Sequence, residues 1–265
     1  MKKILLLGFF IILLASLTIY LLPKISVKDN QAPKQTGSSS VTPSPTGLIS
    51  TSPKPSFSPS RTKSNVQYIT VREPSKITLL SNLEERLTAH EAYEKNGCIY
   101  LVSGGFYAQN SKHIGLFVTE YKKLSESIDN PTFNGFFTID SSGKPKISLT
   151  PSEYVRVALQ SGPILYKDGK PQILNLKNDE NARRLVVTVN RFDQVTFIAF
   201  YNQNNPVDGP RLADLPKLLD ELRKDTNLDF DWALNLDGGS HSAFITETVN
   251  LKEISSIGGY FCIRP

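Results

Sequence analysis

Residues 231–244, DWALNLDGGSHSAF, decide how the rest of this chain is read. Trp232, Ala233, Leu234 and Leu236 suit a buried strand, and Asp237-Gly238-Gly239-Ser240 ends that pattern with turn-forming residues. A carboxylate is thereby set at a strand end. Gly238 and Gly239 lack a Cβ, so the backbone N–H groups there are open to close approach, and Ser240, His241 and Ser242 add hydroxyl and imidazole groups. The combination suits an anionic or sugar ligand; a plain hairpin turn is the structural alternative.

On the C-terminal side, residues 243–249 and 260–263 read as two further strands. On the N-terminal side, Leu212, Leu215, Leu218, Leu219 and Leu222 recur at helical spacing, which predicts a helix over 212–224 with Asp214 capping its first turn ahead of Pro216. Before it, residues 185–189 and 195–200 form β-favouring runs joined by a hairpin at 190–194, with Arg184 at the mouth of the first. Arg184 is the candidate cation; a surface charge is the alternative.

Residues 114–119, 133–139, 146–149 and 155–159 are short strands, read as an antiparallel meander, and Asp140-Ser141-Ser142-Gly143 is a hairpin turn within it. Gln160-Ser161-Gly162-Pro163 breaks the chain before 164–166. Ser81-Asn82-Leu83-Glu84 has capping-box spacing and Gly97 is a helix stop, so a helix is expected over 82–95. It leads into the strand at 98–102, which ends in Ser103-Gly104-Gly105-Phe106-Tyr107, a second strand end with paired glycines. Cys98 and Cys262 are both placed in strands and read as buried free thiols, with a disulfide as the alternative in an exported protein.

Charge divides the chain. Residues 1–65 carry eight Lys/Arg against one Asp, whereas residues 66–265 carry 22 Lys/Arg against 24 Asp/Glu, so the net +5 belongs to the N-terminal part. A slightly acidic folded domain argues against nucleic acid as a partner. Residues 4–22 are an uncharged apolar run behind Lys2 and Lys3, about 28 Å long as a helix, and are expected to anchor residues 1–23 in a membrane, with a cleaved signal peptide as the alternative. Residues 24–65 are rich in Pro, Ser and Thr and read as a disordered stalk that holds the domain at 66–265 outside the cytoplasm.

With the segments in order, residues 95–265 resemble the phosphodiester glycosidase family. Ser103-Gly104-Gly105-Phe106-Tyr107 is similar to the family's Asn-Gly-Gly-x-Phe, Ile114-Gly115-Leu116 to its Ile-Gly-Leu, and Gln160-Ser161-Gly162-Pro163 to its Gly-Pro break. Asn235-Leu236-Asp237-Gly238-Gly239-Ser240 resembles its Asn-Leu-Asp-Gly-Gly-Gly-Ser, and residues 181–184 resemble the segment bearing its Arg. Four residues depart from the pattern: Ser103 stands for Asn, Ser240 for a third Gly, His241 for Ser and Leu185 for Thr.

The resemblance implies a hydrolase that cleaves the glycosidic bond of a sugar-1-phosphodiester; with the anchor and stalk before it, the domain is expected to be membrane-anchored outside the cytoplasm and to act on an envelope glycan or exopolysaccharide. The alternative is a non-catalytic module binding glycan or anionic polymer in the same cleft. Under the first, Asp237 and Arg184 are catalytic, and Ser103, Gly104, Gly105, Phe106, Asn235, Gly238, Gly239, Ser240 and His241 bind substrate. No phosphate-binding loop or paired metal ligands occur in the sequence, so neither metal nor cofactor is expected. The fold class expected is α+β, a curved and mostly antiparallel sheet or pair of sheets with two packed helices.

Overall fold

The structure, a computed structural model, describes residues 65–265. The candidate anchor at 4–22 and nearly all of the stalk lie outside those residues. Among the described residues no helix is long and apolar enough to cross a membrane.

In chain order the elements are β1 (Asn65–Val71), β2 (Ile77–Ser81), α1 (Ala89–Lys95), β3 (Tyr100–Ser103), β4 (Phe117–Thr119), β5 (Lys122–Ser125), β6 (Gly135–Ile139), β7 (Pro145–Ser148) and β8 (Val157–Ser161). Next come β9 (Ile164–Lys167), β10 (Lys170–Pro171), β11 (Arg184–Val189), β12 (Val195–Tyr201), α2 (Leu215–Thr226), β13 (Trp232–Asn235), β14 (Phe244–Ile245), β15 (Asn250–Leu251) and β16 (Gly259–Ile263). They form three sheets, ordered β1-β12-β11-β13-β9-β10, β15-β14-β3-β16-β2 and β5-β4-β8-β6-β7. The order of the third sheet corrects the expected meander: β8 crosses over to lie between β4 and β6, pairing Leu159 with both Phe117 and Phe137.

Alternation along the strands assigns the faces. In β13 and the residue after it, Leu234 and Leu236 enter a central core shared by all three sheets, whereas Ala233 faces α2. Phe261 of β16 stands edge-on to Phe137 of β6 at 5.5 Å and tilted to Phe197 of β12 at 5.0 Å, so one ring joins the three sheets. Leu215, Leu219 and Leu222 place α2 on the outer face of the first sheet, where truncating one of them to Ala costs about 2–5 kcal/mol.

Several boundaries differ from expectation. α1 starts at Ala89, and its capping box is Thr88 with Glu91. Ser81 is the last residue of β2, pairs with Gly259, and shares a 2.8 Å hydrogen bond with His113, so it cannot also cap a helix. Asp214 precedes α2 but makes no capping bond; its carboxylate pairs with Arg211, and Asp179 accepts from the N–H groups of Leu212 and Ala213. Residues 243–249 are not one strand, because Thr246 Oγ1 accepts from the N–H groups of Thr248 and Val249 and turns the chain between β14 and β15. Cys98 and Cys262 are bonded to each other, which overturns the reading as free thiols and ties the segment before β3 to β16 across 164 residues of sequence.

Candidate active site at the Asp237 turn

β13 delivers Asp237 to a junction of three strand ends. Asn235, at the end of β13, receives the 160–163 break: its N–H donates to Pro163 O at 3.1 Å, its Nδ2 to Gly162 O at 2.8 Å, and its own carbonyl accepts from Ser161 Oγ at 2.6 Å. Gly162 admits no side chain there, since a Cβ would lie 2.1 Å from Thr132 O. Asn235 Oδ1 is buried and has no hydrogen-bond partner, on a residue only 3% exposed. An orphaned acceptor of this kind marks a place where a ligand or water donor belongs.

Asp237 is 9% exposed, and its Oδ1 accepts only from the Gly238 N–H, at 2.8 Å. Burial pushes its carboxyl up to about 7, and no positive side chain opposes that rise. The group therefore exchanges protons near neutral pH, as a general acid or base requires. The turn behind it is closed: Gly239 N–H donates to Arg183 O at 2.8 Å, and a Cβ on Gly238 would meet that same oxygen at 2.5 Å. Residues 239–241 then form one 3-10 turn, with Gly239 at φ +62°.

The second strand end is that of β3. Ser103 Oγ accepts from Ala243 N–H at 2.8 Å, so the hydroxyl that stands for the family's Asn joins β3 to the chain leaving the Asp237 turn. Gly104 N–H donates to Gly259 O, and Gly105 has φ +95°. Phe106 packs on Phe133 with ring centroids 4.8 Å apart, and Tyr107 lies edge-on to His241 at 6.0 Å. Burial, and next the charge of Asp237, raise the Tyr107 phenol above its ordinary value. The third end is that of β16, where a Cβ on Gly258 would lie 2.4 Å from the Tyr107 ring.

Ser103, Gly104, Gly105, Phe106, Asn235, Asp237, Gly238, Gly239, Ser240 and His241 are thus placed on converging segments; His241 is exposed and its Nδ1 lies 3.1 Å from Ser240 Oγ. Arg184 behaves otherwise. Its guanidinium pairs with Asp179 at 3.3 Å and donates to Glu180 O and Pro210 O, and it makes no ion pair with Asp237. Its neighbour Arg183 was not singled out by sequence, yet it is fully buried under the turn. Arg183 Nε donates to Ser242 Oγ at 2.9 Å, Nη1 to Pro206 O at 3.0 Å, and Nη2 to the carbonyls of Gly239, Ser242 and Lys252. Gly258 was missed as well, and Tyr107 was read only as part of the 103–107 strand end; the Gly258-Gly259 pair at the start of the last strand was the available signal for the former.

An open concavity of about 630 Å³ lies beside Trp232, Asp231 and Ile147, at the other end of β13, and holds none of these residues. Among the described residues no cluster of three or more His, Cys, Asp or Glu is arranged to hold a metal ion.

Residues 96–258 match the sequence profile of the phosphodiester glycosidase family. Direct comparison with curated proteins gives no match. Among solved structures, the fold is shared with the catalytic domain of zebrafish N-acetylglucosamine-1-phosphodiester alpha-N-acetylglucosaminidase, auto-inhibited by its pro-peptide, at a TM-score of 0.56 and 14% identity over 78% of this chain and 85% of that one. A candidate exported protein from Burkholderia pseudomallei K96243 superposes at 0.53 with 10% identity over 76% and 74% of the two chains. A hypothetical protein from Synechocystis superposes at 0.50 with 12% identity over 75% and 59%. The profile covers more than half of the sequence, and on that ground the chain belongs to the phosphodiester glycosidase family.

Proposed function

We propose that the protein hydrolyses the glycosidic bond of a sugar-1-phosphodiester, with Asp237 as the group that exchanges the proton. The observation that carries this is the Asp237 carboxyl, buried beside glycine backbone and held near 7, two residues along the chain from Asn235 with its unpartnered Oδ1. Water attacks the anomeric carbon, its proton passes to the Asp237 carboxylate, and the bond from that carbon to the phosphate oxygen breaks, its electron pair leaving on the phosphate monoester. A route in which Asp237 itself attacks, and water then releases the sugar, uses the same placement. The leaving phosphate is already a stable anion, so charge on it matters more than a donated proton.

Asn235 Oδ1 accepts a sugar hydroxyl, Phe106 offers an apolar face, and Ser103 holds the strand that leaves the turn. The N–H groups at Gly238 and Gly239 already serve Asp237 and Arg183 O, so they shape the site rather than meet the substrate's charge. Ser240 and His241 stand at the exposed rim. Arg184 acts at a distance, by fixing the Asp179 carboxylate that caps the turn before α2.

The disulfide between Cys98 and Cys262 supports an oxidising compartment, and the apolar run at 4–22 supports a membrane-anchored domain outside the cytoplasm acting on an envelope glycan or exopolysaccharide. The test is to incubate the full-length protein with an N-acetylglucosamine-1-phosphodiester and follow free sugar and phosphate monoester. Release of both supports hydrolysis; retention of the compound with no release marks a binding module.

A further inference from the structure

A site for a phosphodiester needs a cation, and both arginines beside the Asp237 turn are occupied: Arg183 by carbonyl and hydroxyl oxygens, Arg184 by Asp179. One other guanidinium, that of Arg86, is held against the loop that leaves Tyr107. Arg86 is exposed, pairs with no carboxylate among the described residues, and donates only from Nη2 to Ser111 Oγ, at 3.1 Å.

Its placement is fixed from two sides. Asn82, 1% exposed, donates from Nδ2 to Leu87 O at 2.8 Å and to Ile257 O at 3.1 Å, and accepts on Oδ1 from Leu87 N–H. Its backbone N–H donates to Gly258 O, and its carbonyl accepts from Arg86 N–H, both at 2.9 Å. The loop bearing Arg86 is thereby moored to the residue on which the Tyr107 ring lies, with a Cβ-to-ring spacing that only glycine allows. Ser111 belongs to the loop that leaves Tyr107 and returns at His113, closed by the Tyr107–His113 bridge and by Ala108 N–H donating to Lys112 O. Arg86 itself has φ +51°, a conformation uncommon for a side chain of its size and kept only where the surroundings fix it. The Tyr107 phenol feels both charges, raised by that of Asp237 and lowered by that of Arg86.

We infer that Arg86, aided by Ser111, is the phosphate-binding group of the Asp237 site, taking the phosphodiester while Asn235 and Asp237 face the sugar. The assignment rests on the hydrolase proposed above only for the name of its ligand; the chemistry, a free guanidinium and a hydroxyl beside an apolar ring, is that of an oxyanion site. Arg86 lies outside the family-matched residues 96–258.

The test is calorimetric titration of the full-length protein with inorganic phosphate and with N-acetylglucosamine-1-phosphate, comparing wild type with Arg86→Ala, Arg86→Lys, Ser111→Ala and the remote surface variant Arg191→Ala. Arg86→Ala weakens both ligands by about tenfold or more, Arg86→Lys by less, and Arg191→Ala leaves both unchanged. Arg86 is exposed, and an unchanged melting temperature shows that the loss is not unfolding. Asp237→Asn retains phosphate binding, so a protein that binds phosphate through Arg86 but hydrolyses nothing would sink the hydrolase and leave the site standing. No phosphate binding by wild type at millimolar concentration, or equal affinity in wild type and Arg86→Ala, overturns the assignment.

Discussion

Arg183 donates to Ser242 twice, from Nε to the hydroxyl at 2.9 Å and from Nη2 to the carbonyl, and so clamps the far end of the turn that begins at Asp237. Burial lowers its guanidinium to about 10, against the opposing charge of Glu253, but leaves it charged at neutral pH. Replacing it with Met strands the carbonyls of Ser242, Lys252 and Pro206, whereas Gly239 O keeps the Ser242 hydroxyl. Arg183→Met is therefore expected to lose about 3–5 kcal/mol of stability in urea unfolding. Arg184→Met, at the neighbouring position, loses less, because Asp179 keeps its bonds to Leu212 and Ala213.

The Asp237 carboxyl is raised from 3.8 to about 7 in the folded protein. Between these values the native state binds more protons than the unfolded chain, so its contribution to stability is complete below pH 4 and is lost as pH rises through 7. Asp237→Asn removes that loss. The variant is expected to be more stable than wild type at pH 8, by an amount on the order of 3–4 kcal/mol, and equally stable near pH 4, as read from denaturant midpoints.

His113 shows the opposite sign. It stacks on Phe117 at 3.7 Å, its Nδ1 is buried without a partner, and burial lowers it from 6.5 to about 4. The unfolded chain binds the extra proton in that window, so stability present above pH 6.5 is lost as pH falls through 4. His113→Gln, which can keep the bond to Ser81, flattens the melting temperature between pH 6.5 and pH 4; an unchanged acid limb would remove His113 as its cause.

Cutting the bond between Cys98 and Cys262 releases a loop of 164 residues in the unfolded chain. Reduction by dithiothreitol, or a Cys98→Ser, Cys262→Ser pair without it, is expected to cost about 2–5 kcal/mol and to lower the melting temperature below that of the oxidised protein.

The strands were legible where β-formers are bounded by turns, as in 185–189 and 195–200, which the structure extends by one residue each to Arg184–Val189 and Val195–Tyr201. β1 was not, because NVQYITV comes after the Pro/Ser/Thr segment without a turn signal between them. Two capping boxes fit the sequence before Gly97, and only the demand of β2 for Ser81 decides between them. The cysteine pair was open for a similar reason: a separation of 164 residues says nothing of a 5.3 Å Cα–Cα approach. At the site, the glycine-bearing strand ends were readable, yet neighbouring residues at a strand mouth face different ways. Arg183 and Arg184 therefore differ by one position in sequence and by whole environments in space. Arg86 carried no sequence signal at all, since its place depends on where Asn82 anchors its loop.

The central claim is tested most directly by the pH profile of sugar release from an N-acetylglucosamine-1-phosphodiester by wild type and Asp237→Asn. The account predicts a wild-type rate that changes with an ionisation near pH 7, and a variant slower by about 100-fold or more that has lost that ionisation. Wild-type turnover by Asp237→Asn, with the same pH profile, would contradict it.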